Sequence, residues 1–172
     1  MPGLTLLRYP DPGFAQVAVP FDTIDDDARQ LADDLLAVMY AAPGLGLSAC
    51  HAGVFKRLVV VDLGGAEGGP RAPQVFFNPV ITSRSDRPQT FDEGSVSMPG
   101  ITVKIGRPDR IEMRWLDRHG QAQSGPFDGF LATVLQHEID QLDGVFFLER
   151  ASKLKRDRAL ARWKKLGAEQ NS

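Results

Sequence analysis

His137, Glu138 and Gln141, in the stretch QHEIDQLDG (136–144), have the types and spacing of a catalytic helix. Residues four apart on a helix share one face. In an H-E-x-x-H helix two such histidines hold a metal and the glutamate beside the first moves protons. Here the second imidazole is replaced by the amide of Gln141. Two other segments carry groups that do chemistry. GLGLSACHAG (44–53) brings His51, and EGSVSMPGITV (93–103) brings Ser95. Serine, histidine and glutamate are also the parts of a metal-free nucleophile, base and orienting group.

These residues need elements to hold them. Apolar positions Phe130, Val134, Leu135, Ile139 and Leu142 predict a helix over 126–142, ended by Gly144. His137, Glu138 and Gln141 then sit on or beside a buried stripe, where a polar group must be hydrogen-bonded or ligating. TIDDDARQLADDLLAVMYA (23–41) has helical spacing, with Thr23 and Asp26 placed as a capping pair and Pro43-Gly44 closing it. KRLVVVDL (56–63) and VFFNPVITS (75–83) read as strands joined by the flexible GGAEGGPRAP. ITVKI (101–105) and RIEMRWL (110–116), followed by the turn DRHG, read as antiparallel strands. In RIEMRWL, Ile111, Met113 and Trp115 alternate with charged residues, so one face is buried and one is wet. A last helix, roughly 152–166, offers Leu154, Leu160, Trp163 and Leu166 for docking. The expected fold class is α+β: antiparallel strands around a central helix, with a helix at each end.

The chain has 172 residues, 42% hydrophobic and 24% charged, which suits one well-cored domain and argues against disorder. No apolar run approaches the ~18 residues needed to span a bilayer. The N-terminus lacks the pattern of a secretory signal, so the expected location is cytoplasmic. One cysteine, Cys50, excludes an intramolecular disulfide framework and a cysteine metal cluster. The net charge of −2 is uneven. From Arg150 onward eight basic residues face two acidic ones, a balance of +6, leaving −8 in residues 1–149. This divides the chain into a body, 1–150, and a basic C-terminal helix and tail, 151–172.

In order and at their intervals, the three segments resemble the three motifs of the peptide deformylases, metal-dependent hydrolases that remove formyl from N-terminal methionine. LRYPDPGFAQVAVPF (7–21) and the stretch through WLDRHG are similar to that family as well, so the resemblance covers nearly the whole chain. It implies that Gly44, Gly46, Glu93, Gly94, Pro99 and Gly100 shape the cleft, with substrate and oxyanion near Gly44, Gly46 and Val96. It implies Glu138 as general acid/base and His137 as a ligand for iron, zinc, nickel or cobalt.

Three positions depart from the family pattern. His51 stands where the family has an oxyanion glutamine, Ser95 where it has a ligating cysteine, and Gln141 where it has the second histidine. A serine hydroxyl is much harder to ionise than a thiol of pKa about 8.5, so Ser95 is a poor ligand for iron or zinc. An amide oxygen suits calcium or magnesium better than soft metals. The leading expectation is therefore a deformylase-like protein that has lost the metal-dependent activity and binds a peptide N-terminus or a small formyl- or acyl-bearing ligand, with no metal or one weakly held divalent ion.

A second reading starts from the apparent exchange of His51 and Gln141. A metal moved onto His51 and His137, with Ser95 or Glu138 as third ligand, leaves an active hydrolase in which Glu138 works as acid/base and Gln141 or His51 donates to the oxyanion. The third reading is a metal-free hydrolase or acyl transferase with Ser95 as nucleophile. The plainer assignments are packing for Cys50, Met98 and Met113 and a surface turn for His119. The family resemblance also implies a ribosome contact through Lys153, Lys155, Arg156, Arg158, Arg162, Lys164 and Lys165, against the simpler reading of a solvated helix face.

Overall fold

A computed structural model of the chain describes residues 3–171. Its helices are α1 (Asp26–Ala41), α2 (Gly129–Leu142) and α3 (Lys153–Gln170). Its strands are β1 (Gly46–Ser48), β2 (Leu58–Val61), β3 (Gln74–Arg84), β4 (Pro88–Glu93), β5 (Val103–Pro108), β6 (Arg110–Leu116) and β7 (Ala122–Asp128). The strands form an antiparallel sheet in the order β1-β2-β3-β6-β7 and a separate antiparallel pair, β4-β5. The α+β architecture is the one expected.

β2 shows how the layers are built. All four of its residues are buried. Val59 and Val61 pack with Leu135 and Ile139 of α2, while Leu58 and Val60 pack with Leu35 and Met39 of α1. Alternate side chains point to opposite faces of a strand, so a continuous apolar run marks a sheet covered on both sides. β6 alternates, with Ile111 and Met113 in the α2 core. A third apolar cluster holds Phe14, Met98, Ile105, Phe146 and Phe147, and α3 docks on it through Ala159, Leu160, Trp163 and Leu166.

Several local expectations change. α1 is capped by Asp25, whose carboxylate accepts from Ala28 N–H, not by Thr23 and Asp26. α2 starts at Gly129 because Pro126 belongs to β7, where it pairs with Glu112. β7 is a sheet edge, a place where a residue without an N–H is tolerated. Leu154, expected to dock, is 59% exposed and is not among the α3 residues that pack on the third apolar cluster. Gly144 does close α2: its φ is +76°, and a Cβ there would lie 2.6 Å from Ala15 O. Among the described residues, no helix is long and apolar enough to cross a membrane.

Candidate functional site

β1, the loop after β4 and α2 enclose a cavity of about 360 Å³. Its lining includes all six glycine, proline and glutamate positions read as cleft-shaping: Gly44, Gly46, Glu93, Gly94, Pro99 and Gly100. Gly46 is required by close approach, since a Cβ would meet Val134 Cγ1 at 2.7 Å and Glu138 Cγ at 3.3 Å. Val96, Ser95, His51, His137 and Glu138 line the same space.

α2 places His137 and Glu138 deeper than a buried stripe would. Eleven consecutive residues, Ala132 to Leu142, are buried, because the large sheet covers one side and β4, β5 and the turn Phe147–Arg150 cover the other. Each polar side chain must then find a partner. His137 Nδ1 lies 2.9 Å from Glu93 Oε1. A carboxylate only accepts, so Nδ1 carries the proton and Nε2 faces Glu138 Oε1 at 3.9 Å. Burial opposes a charge on His137, but the bond to Glu93 and the charges of Glu138 and Glu93 outweigh it and raise its pKa.

His51 is held in the same manner from the opposite wall. The turn Ala49–Ala52 buries it, with Nδ1 2.9 Å from Ser97 Oγ and Nε2 3.7 Å from Glu138 Oε2. Burial, then the nearby His137, pushes its pKa down to about 3, so the ring is neutral. Glu138 Oε2 accepts from Ser48 N–H at 2.8 Å. Burial raises the Glu138 pKa, as does the charge of Glu93, against the opposing pull of His137 and the Ser48 N–H. Ser48 Oγ, beside this carboxylate, is the one buried side-chain polar atom among the described residues without a well-formed hydrogen bond.

Behind His137 runs a chain of charges. Arg107 gives Nε and Nη2 to Glu93 at 2.7 and 2.9 Å, and Nη1 to Asp140 at 2.8 Å. Arg150 gives Nε and Nη2 to the same Asp140 at 2.9 and 2.8 Å. For Asp140, burial works upward, but these bonds prevail and hold it below the usual carboxylate range. Metal-binding histidines commonly donate their remote N–H to a carboxylate in this way, which fixes the ring and raises its basicity.

The other candidates lie elsewhere. Gln141 Nε2 donates to Phe14 O at 2.8 Å, and the residue does not line the cavity. Its amide therefore serves the main chain rather than an oxyanion. Ser95 Oγ accepts from Ser97 N–H at 3.1 Å and bonds neither histidine; His51 pairs with Ser97 instead. Cys50 is buried, and that burial, the largest influence on it, pushes its thiol up to about 11. Sequence reasoning overlooked Ser97, Arg107, Asp140 and Arg150, which orient the reactive groups. Only Asp140 had a local signal, three positions after His137 on the same helix.

A nitrogen of His51, a nitrogen of His137 and a carboxylate oxygen of Glu138 all lie within 4.8 Å of one another. Two converging imidazoles are donors that suit a divalent metal, and the Glu138 carboxylate lies close enough to act on a water beside it, so the residues present fit such an ion even though Ser95 and Gln141 replace two usual ligands. Neutral His51 needs to lose no proton to ligate. At His137 the negative surroundings that favour a proton also favour a cation.

The sequence profile described as Polypeptide deformylase matches residues 4–157. Peptide deformylase of Rhizobium meliloti (strain 1021) is 46% identical over 160 residues, covering 93% of this chain and 91% of the relative. A protein of Brucella melitensis biotype 1 named peptide deformylase-like is 45% identical over 161 residues, covering 94% and 96%. The crystal structure of peptide deformylase from Ehrlichia chaffeensis in complex with actinonin superposes with a TM-score of 0.86 at 36% identity, covering 96% of this chain and 98% of that one. Nothing in these similarities supports the expected loss of activity, and the relatives' names favour an active deformylase over a binding protein. By sequence and by fold, the chain belongs to the polypeptide deformylase family.

Proposed function

We propose that this chain hydrolyses the formamide of a formylated peptide N-terminus, with His51 and His137 holding a divalent metal and Glu138 moving the proton. The observation that carries the reading is the convergence of those three residues, all at least 90% buried, on one cavity. When bound, such a metal acts as a Lewis acid and lowers the pKa of water. The chain's own residues do the rest. Glu93 and Ser97 fix the two imidazoles through Nδ1 and turn Nε2 toward Glu138. Glu138, with its pKa raised by burial, takes a proton from the attacking water and passes it to the leaving amine. Oxygen adds to the formyl carbon, the C–N bond breaks, and formate and a free amine leave. The main-chain N–H of Val96 stabilises the developing oxyanion; a donor in that role is worth about 10²–10³ in rate.

The test is elemental analysis of protein purified without oxygen or chelators, paired with formate release from formyl-Met peptides. Near-stoichiometric transition metal and turnover are expected. His51→Ala should lose the metal, while Glu138→Gln should keep most of it and lose about 10²–10⁴ in rate. Absence of both metal and formate release, after reconstitution with iron, nickel or zinc, would overturn the reading and leave peptide binding without turnover.

A further inference from the structure

Beside α2, beyond the Arg107 side chain that grips Glu93, lies a second cavity of about 230 Å³, bordered by Arg84, Arg107, Gln136, Asp140 and Arg150. Water in the liquid occupies about 30 Å³ per molecule, so this space accommodates a phosphate or carboxylate group with water around it. Its walls carry three guanidinium groups and one carboxylate.

The ion pairs show which charges are already matched. Glu93 is taken up by Arg107 and His137, and Asp140 by Arg107 and Arg150, with the charge of Glu149 also acting on Arg150. Arg150 uses Nε and Nη2 on Asp140, and Nη1 has no hydrogen bond among the described residues. Arg84, at the end of β3, has no ion pair or side-chain hydrogen bond among the described residues. The cavity is thus edged by guanidinium N–H groups of Arg84 and Arg150 that have no acceptor among the described residues. Planar guanidinium forks suit the oxygens of phosphate and carboxylate.

We propose that this cavity binds a small oxyanion, a phosphoryl or carboxylate group held between Arg84 and Arg150. The inference goes beyond the catalytic reading and does not depend on it. It also gives the two cavities a shared element: Arg107 grips Glu93, which lines the catalytic cavity, and Asp140, which lines this one.

The experiment is calorimetric titration of the full chain with inorganic phosphate and, separately, with acetate, at an ionic strength held constant with chloride. Saturable binding of one equivalent is expected for at least one of the two. Preference for phosphate assigns a phosphoryl ligand, and preference for acetate a carboxylate. Arg84→Gln, which removes an exposed strand-end charge, should leave the melting temperature unchanged and weaken binding by about tenfold, the loss of one charge-assisted contact. Failure of both anions to saturate, or equal affinity in wild type and Arg84→Gln, would overturn the proposal. A loss of formyl hydrolysis elsewhere in the molecule would leave this result untouched.

Discussion

α2 and α3 are both rich in polar residues, yet they solve opposite problems. In α2, positions 136–141 are polar except for Ile139, and all six are buried. In α3, eighteen residues long, only Ala159 is buried, and its charges face solvent. Every polar side chain in that α2 stretch meets a group from another part of the chain. Gln136 reaches Pro108 O, His137 meets Glu93, Glu138 takes Ser48 N–H, Asp140 binds Arg107 and Arg150, and Gln141 reaches Phe14 O. α3 has far fewer such ties: Lys155 to Lys104 O, and Trp163 under Arg8. Burying a polar group is costly unless it is paired, so α2 is polar only because its surroundings are built to match. The same charges on α3 cost nothing because water solvates them.

The sharpest way to break this contrast is Arg107→Met. It leaves Glu93 and Asp140 each short of a buried partner, and a lost partner in such a pair costs about 3–5 kcal/mol. Urea unfolding should show that loss; less than ~1 kcal/mol would mean that the network is solvated and the contrast between the helices false. Acid is a milder probe. The Asp140 pKa is lowered on folding, so its ionised form contributes stability that is fully present above about pH 4, the unfolded value. That contribution is lost as the pH falls through the folded value. Asp140→Asn should therefore cost about 1–3 kcal/mol at pH 7, and the gap from wild type should narrow below about pH 4. The smallest effect is expected on α3. Lys164→Ala, at an exposed position, should change unfolding by less than about 0.5 kcal/mol.

Much of this arrangement was legible in the sequence where the signal was local. β6 could be read because its alternation is a property of seven adjacent residues. α2 could be read because its apolar positions recur at helical spacing, and the motif order carried the fold. The start of α2 was misplaced because Pro126 and its neighbours gain their strand character from pairing with β6, which no local pattern reveals. Gln141 was misread for the same kind of reason: its partner, Phe14, is 127 positions away.

By itself, then, the sequence determined which groups were on offer: one histidine and one glutamate adjacent on a helix, a histidine after a glycine-rich turn, a serine and an amide where softer ligands are usual. The tertiary structure alone decided which of them meet. It brought His51 and His137 to either side of Glu138, gave Gln141 to the main chain, and tied Glu93, Arg107, Asp140 and Arg150 into one buried chain. Those outcomes depend on burial and on contacts between distant segments. Desolvation and Coulomb interactions, which set the protonation of the site, arise only once those segments are packed together.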